Sequence, residues 1–283
     1  METELKLAVI GAGTMGSGIA YASASSGHDV FVVEQDQKLL DQGMKRINDY
    51  IERGVKKGQL DKSRAEALRT SIKGTVDFAK ACKNAEIVVE AVFEDPRVKE
   101  QVFAILDRTC PPRTIIASNT SSISITKLAS ATRRPDKVLG LHFFNPVPTM
   151  KLVELIKGDR TSEETVITAS KFVQSLGKTV VQSADKTGFI VNRALMPFLN
   201  EAIKLLDEKV ATPEDIDNAF LLGTNHPMGP LHLADFIGLD VVLSTLRVLE
   251  TEYGSCFSPA GTLVRLVGEG KLGRKTGSGF YGY

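Results

Sequence analysis

The chain has 283 residues, 42% hydrophobic and 24% charged, ordinary proportions for a globular protein with a sizeable core, which excludes disordered, collagen-like and coiled-coil classes. At about 150 residues per domain the length points to two domains. Lys and Arg total 35 against 34 Asp and Glu, a net charge of +1, so no global basic field exists to hold nucleic acid or an anionic membrane, and any anionic ligand needs a local patch.

Leu5 to Ile10 is a short apolar run that stops at Gly11. Small residues with Ile19 follow at helical spacing from Thr14 to Ser25, and then comes the β-branched run Asp29 to Glu34. Strand, tight turn, helix and strand make a βαβ unit with a right-handed crossover. Lys38 to Gln59 carries Leu39, Leu40, Met44, Ile47, Ile51 and Val55 at three- and four-residue steps, opposite Lys45, Arg46, Arg53, Lys56 and Lys57. This predicts a long amphipathic helix with a basic outer face. A second helical piece, 61–71, precedes strands at 87–90, 115–118, 138–143 and 151–156, with a helix at 97–109 between the first two; a helix at 163–176 and a strand at 179–182 close the series. The alternation predicts a doubly wound, Rossmann-type α/β domain over residues 1–184.

Beyond Asp185-Lys186-Thr187-Gly188 no β-rich run follows. Helices are expected at 189–208, which contains Pro197, at 213–222 with Thr212 as N-cap and Pro213 at the first helical position, at 231–253 with a break at Gly238, and at 262–267. Residues 185–283 are read as an all-helical C-terminal domain, with Thr187-Gly188 as a hinge for closure over substrate.

Gly11-Ala12-Gly13-Thr14-Met15-Gly16 is a GxGxxG that follows a strand and opens a helix. Gly11 permits the turn, Gly13 lets the backbone approach a pyrophosphate, and Gly16 lets the helix lie close on the sheet with its N-terminus toward negative charge. Glu34 ends the second strand 18 residues after Gly16, near the spacing at which an acidic side chain takes the ribose hydroxyls. A carboxylate there repels a 2′-phosphate, so the expected cofactor is NAD rather than NADP.

His142 ends an apolar strand in Leu141-His142-Phe143-Phe144-Asn145-Pro146-Val147-Pro148, and Glu154 lies 12 residues on, across a Pro-containing turn that could return the chain beside His142, a contact that spacing alone does not establish. An imidazole beside a hydride-accepting cofactor suits alcohol oxidation, and a carboxylate on the ring fixes its tautomer. Residue types and spacing alone leave open whether His142 is a base or a strand-end histidine kept for structure. His28, His226 and His232 are read as turn, loop and helix residues. Cys82, Cys110 and Cys256 match no metal or redox spacing. No basic region with a long apolar run opens METELKLAVIGAG, and 18 apolar residues nowhere run together. A cytoplasmic protein with no metal and no membrane or nucleic-acid partner is therefore expected.

The strings GAGTMGSGIA from Gly11, EAVFED from Glu90, SNTSS from Ser118, LHFFNPVPTMKLVE from Leu141, TGFIVNR from Thr187, HPMGPLHLADFIGLD from His226 and GRKTGSGFY from Gly273 together resemble the 3-hydroxyacyl-CoA dehydrogenase family, in its single-function, short-chain form, from Leu5 to Tyr283. The resemblance implies that His142 is the general base, with Glu154 orienting it. Ser121, Asn145 and Asn192 would hold substrate. Glu94, Lys99 and Lys275 would contact the cofactor beside Gly11, Gly13, Thr14, Met15, Gly16 and Glu34, and Lys56 and Lys57 would meet the coenzyme A phosphates. It also implies an acyl-CoA substrate, with acetoacetyl-CoA and 3-hydroxybutyryl-CoA as the concrete pair, and a homodimer made through the helical domain. Glu34 stands where many relatives have Asp, and no hydratase or isomerase region is expected. Two other readings remain open from the residues: a dehydrogenase of free hydroxy acids or sugar acids, and a nucleotide-binding structural protein, both with lens lambda-crystallin relatives as precedent.

Overall fold

Why these residues make one sheet is clearest at its centre. The computed structural model describes residues 4–283; the first three residues of METELKLAVIGAG lie outside it. Between Lys186 and Thr187 the described chain divides into two units. The first contains β1 (Lys6–Ile10), α1 (Thr14–Ser25), β2 (Asp29–Val33), α2 (Gln37–Lys56), α3 (Lys62–Ser71), β3 (Ile72–Thr75), α4 (Phe78–Cys82) and β4 (Ile87–Glu90). It continues with α5 (Pro96–Thr109), β5 (Ile115–Ser118), α6 (Ile125–Ala129), β6 (Val138–Phe143), β7 (Leu152–Lys157), α7 (Glu163–Ser175) and β8 (Thr179–Ala184). The strands form one sheet in the order β3-β2-β1-β4-β5-β6-β7-β8. Strands β1 to β6 are parallel, β7 is antiparallel to β6, and β8 is parallel to β7. Strands β4, β5 and β6 are buried along their whole length, as strands covered by helices on both faces must be, and this is why they are continuous apolar runs. The chain winds outward in one direction from β1 through β2 and in the other from β4, so the strand order reverses beside β1 and opens a crevice at the carboxyl ends.

The helix after β1 packs through small residues: Gly16, Ser17, Gly18, Ala20, Ala22, Ser23 and Ala24 are all buried. Asp36 caps α2 by accepting the Leu39 amide at 2.9 Å. The helix buries Leu40, Ile47 and Ile51, as its periodicity predicts. It ends at Lys56 rather than running to Gln59, because Gly58 takes φ +68° and the Gln59 amide turns back to the Gly54 carbonyl. Three elements go unpredicted: β3, α4 and α6. Strand β3 reads Ile-Lys-Gly-Thr and buries only its two ends, so it carries no apolar run to find.

Between α6 and β6 the chain is anchored by Arg134, which donates to the carbonyls of Asp107, Cys110 and Pro111 and to the Asp107 carboxylate at 2.9 Å; Arg133 reaches the same carboxylate at 2.8 Å. Burial works to raise the Asp107 pKa, but the two arginines outweigh it and hold it below the ordinary value. A folded-state pKa below the unfolded one, about 3.9, means that this stabilisation is complete above that unfolded value and disappears as pH falls through the folded one. Asp107→Asn is expected to cost about 2 kcal/mol of unfolding free energy at neutral pH. In urea titrations from neutral pH into the acid range the deficit should shrink as the wild-type carboxyl protonates; a constant deficit would contradict the assignment.

The second unit is all-helical: α8 (Val191–Asp207), α9 (Pro213–Gly223), α10 (Pro230–Ile237), α11 (Leu239–Tyr253) and α12 (Gly261–Gly268). Helix α8 starts two residues later than its hydrophobic pattern predicts, because Gly188 and Phe189 both take positive φ. Thr212 caps α9 with Pro213 at its first position, and Gly238, at φ +105°, divides α10 from α11, both as read from the sequence. Met196, Leu199, Ile203, Leu231, Leu246 and Leu263 form its core. Asp235, fully buried, fastens the C-terminal segment by accepting the amides of Phe280 and Tyr281 at 3.0 Å. No helix among the described residues is long and apolar enough to cross a membrane.

Candidate active site

The first turn of α1 carries no side-chain cap, since Gly13 stands at its N-cap. A Cβ added at Gly13 would meet nothing within 4 Å, whereas one at Gly16 would come to 1.8 Å from the Gly11 carbonyl oxygen. Gly11 itself takes φ +96°. Open space and uncapped amides at Gly13, with a helix dipole behind them, fit a pyrophosphate. A cleft of about 490 Å³ beside this turn is lined by Gly11, Gly13, Glu34, Gln35, Val92 and Phe93 among others. Its apolar walls and single carboxylate suit an adenosine moiety with ribose hydroxyls. Glu34 accepts the Ala12 amide at 2.6 Å, so the carboxylate also braces the glycine turn. The structure therefore brings Gly11, Gly13, Thr14, Met15 and Glu34 to one cleft, and the residues fit NAD.

Strands β4 and β5 end side by side at Glu90 and Ser118, in register with Gly140 of β6, which runs on to Phe143. Beyond them the chain forms two loops. Glu94 binds the second through its Oε1, which accepts the Thr120 hydroxyl at 2.5 Å and the Ser121 amide at 2.9 Å. Lys99 is buried: its ammonium lies 2.6 Å from Glu90 and 3.2 Å from Glu94. It thus joins the Glu90 and Glu94 carboxylates.

His142 and Glu154 are direct cross-strand partners on the antiparallel pair β6–β7. His142 Nδ1 lies 2.7 Å from Glu154 Oε2, with the carboxylate fully buried and the imidazole 8% exposed. A neutral ring in this arrangement donates from Nδ1 to the carboxylate, which leaves proton exchange with a ligand to Nε2. The Phe143 amide donates to Asn119 at 3.0 Å, tying the histidine strand to the Ser118–Ser122 loop. Asn145 follows β6 and is exposed. His28 is buried between the Leu5 amide and Ser175, and His232 pairs with Asp217 in the second unit at 2.6 Å, both structural positions.

A second cleft, of about 510 Å³, is lined by Tyr50, Arg53, Lys57, Pro146, Thr149 and Lys178, so it adjoins the loop that follows His142. Lys56 faces a different groove, between α2 and α3, with Glu52, Lys62 and Arg69. Lys178 is absent from the sequence reading. Its ammonium donates to the carbonyls of Val147 and Met150 at 2.6 and 2.7 Å; burial, assisted by Lys151, lowers its pKa. In the second unit, Asn192 lies in the first turn of α8, and Lys275 is paired with Asp240 at 2.5 Å. Among the described residues no cluster of three or more His, Cys, Asp or Glu is arranged to hold a metal ion.

A family model described as 3-hydroxyacyl-CoA dehydrogenase, NAD binding domain, matches residues 6–186, and one for the C-terminal domain of the same family matches residues 188–283. A 3-hydroxybutyryl-CoA dehydrogenase of Clostridioides difficile is 45% identical over 280 residues, covering 99% of both chains. The mitochondrial hydroxyacyl-coenzyme A dehydrogenase of Sus scrofa is 42% identical over 283 residues, 97% of this chain and 90% of that one. The crystal structure of (S)-3-hydroxybutyryl-CoA dehydrogenase from Ralstonia eutropha superposes with a TM-score of 0.94 at 42% identity, covering 99% of each chain.

Proposed function

The chain belongs to the 3-hydroxyacyl-CoA dehydrogenase family, and on that premise we propose that it interconverts 3-hydroxybutyryl-CoA and acetoacetyl-CoA with NAD, using His142 as acid and base. The observation that carries this reading is the buried 2.7 Å contact between His142 and Glu154, at the same carboxyl edge as the glycine turn. NAD, when bound, supplies the acceptor for the hydride that leaves C3. The 3-hydroxyl proton goes to Nε2 of His142, and Glu154 keeps Nδ1 protonated, orients the ring and pairs with its charge after transfer. In the reducing direction the protonated ring donates to the 3-keto oxygen as hydride arrives at C3. Ser121 and Asn145 in the first unit, and Asn192 in the second, are assigned to hold the substrate. Lys275, paired with Asp240, is assigned to the cofactor together with Glu94 and Lys99.

Arg53 and Lys57 support a thioester carrying phosphates over a free acid, because both line one cleft with Tyr50 next to the Pro146–Thr149 loop, and clustered cations of this kind recognise phosphate. Lys56, in the neighbouring groove, is a weaker candidate. Residues 1–184 are assigned to NAD binding, and residues 185–283 to substrate binding and a homodimer. Exposed Val241 and Val248 on α11 offer that dimer an apolar face, and a monomer mass in sedimentation equilibrium would remove it. A cytoplasmic location accords with three cysteines in no disulfide; fractionation of the cells that express it checks this.

The deciding experiment is the initial rate of NADH consumption with acetoacetyl-CoA, with free acetoacetate and with NADPH as controls. Turnover should require the CoA ester and prefer NADH. Activity on the free acid alone would transfer the chain to hydroxy-acid chemistry, and tight NADH binding without turnover would make it a structural protein.

A further inference from the structure

We propose that Glu90 is a positioning residue, whose buried carboxylate uses Lys99 to set the Thr120–Ser122 loop against the cofactor wall. This rests on the function proposed above. Glu90 ends β4 and is fully buried, and it receives three hydrogen bonds: from the Val92 amide at 2.7 Å, the Lys99 ammonium at 2.6 Å and the Ser118 hydroxyl at 2.7 Å. Val92 lines the NAD cleft. On the other side two routes lead from Glu90 to the loop. Ser118 accepts the Thr120 amide at 3.2 Å. Lys99 holds Glu94, which accepts from Thr120 and Ser121. Thr120 in turn accepts the amides of Ser122 and Ile123, so the loop is ordered as a unit from one carboxylate.

Stability does not explain this arrangement. A buried ion pair carries a desolvation cost, and apolar residues of the same volume commonly stabilise as well or better. The pair instead fixes a distance: it makes the loop that holds Ser121 move with the wall that holds Val92. The same loop reaches β6 through Asn119 and the Phe143 amide, next to His142. Cofactor wall, substrate loop and base strand are thereby kept in one register.

The test is the double variant Glu90→Gln/Lys99→Met. It removes both charges together, and the carboxamide that replaces the Glu90 carboxylate can still accept from the Val92 amide and meet the Ser118 hydroxyl, so what is lost is the Lys99 ammonium with its bonds to Glu90, Glu94 and the Val92 carbonyl. Hydrogen exchange at the amides of Ser121, Ser122 and Ile123 should quicken about tenfold, while exchange in the Gly158–Thr161 turn stays as in wild type. The KM for acetoacetyl-CoA should rise about tenfold. Unchanged exchange in the folded double variant overturns the proposal. If the double variant does not fold, Glu94→Gln, at the more exposed end of the relay, reads the same link, and unchanged exchange there overturns it equally. Absence of wild-type turnover with acetoacetyl-CoA would instead retire the proposed function, and the exchange result would still decide the relay.

Discussion

His142→Ala is expected to lower kcat for acetoacetyl-CoA reduction by about 10³-fold, within the range for loss of a general acid or base, with NADH affinity unchanged because the glycine turn is a separate part of the sheet edge. Two features make the size of the effect argue for chemistry. The ring is nearly buried, so bulk water is a poor substitute, and Nδ1 is engaged with Glu154, so the ring is presented in one tautomer. Alanine at 142 also leaves the Glu154 carboxylate buried without its imidazole, which by itself destabilises by about 1–3 kcal/mol. Glu154→Gln separates the two effects. The amide preserves shape and removes the buried charge, so folding should be kept, while kcat falls by about 10²-fold through loss of the ring's orientation and charge partner. Rates and melting temperatures measured together decide the matter. A His142→Ala enzyme that melts as expected but turns over at the wild-type rate would remove His142 from the chemistry.

How much of this was legible depended on whether the determining contacts were local. The glycine turn, the N-cap at Thr212 and the break at Gly238 are encoded within a few residues, and each stands in the structure where the sequence places it. The His142–Glu154 contact was legible only in part: the Pro-containing turn allowed the chain to return beside His142, but spacing could not establish the contact, which the direct cross-strand pairing of β6 and β7 makes. Lys178 was not accessible: it lies 31 and 28 residues from the carbonyls it holds, and nothing in its neighbourhood marks it. Lys56 and Lys57 were read as equivalent, yet adjacent helical positions point about 100° apart, and α2 ends at Lys56, so the two cations face different grooves. Strand β3 escaped because an edge strand with two exposed central residues has no pattern to display.

The glycine turn supports a second large effect with a built-in contrast. Gly13→Ala adds a methyl where nothing lies within 4 Å, at an ordinary φ of −65°, so stability should stay within about 1 kcal/mol of wild type. The same methyl occupies the space that lets a pyrophosphate approach the backbone, and NADH affinity should fall about 100-fold, close to 3 kcal/mol. Gly16→Ala acts differently. Its Cβ would stand 1.8 Å from the Gly11 carbonyl, and Gly11 has nowhere to retreat, because its own Cα faces the Ala91 carbonyl so closely that a Cβ there would lie 2.6 Å away. Both neighbours are backbone, so α1 must lift from the sheet, at about 3 kcal/mol of stability, and cofactor affinity falls with it. Calorimetric melting and NADH titration of the two variants therefore diverge: Gly13→Ala loses binding alone, and Gly16→Ala loses binding and stability. Equal melting temperatures for the two would show that the helix does not rest on the turn as described, and undiminished NADH affinity in Gly13→Ala would move the pyrophosphate away from it.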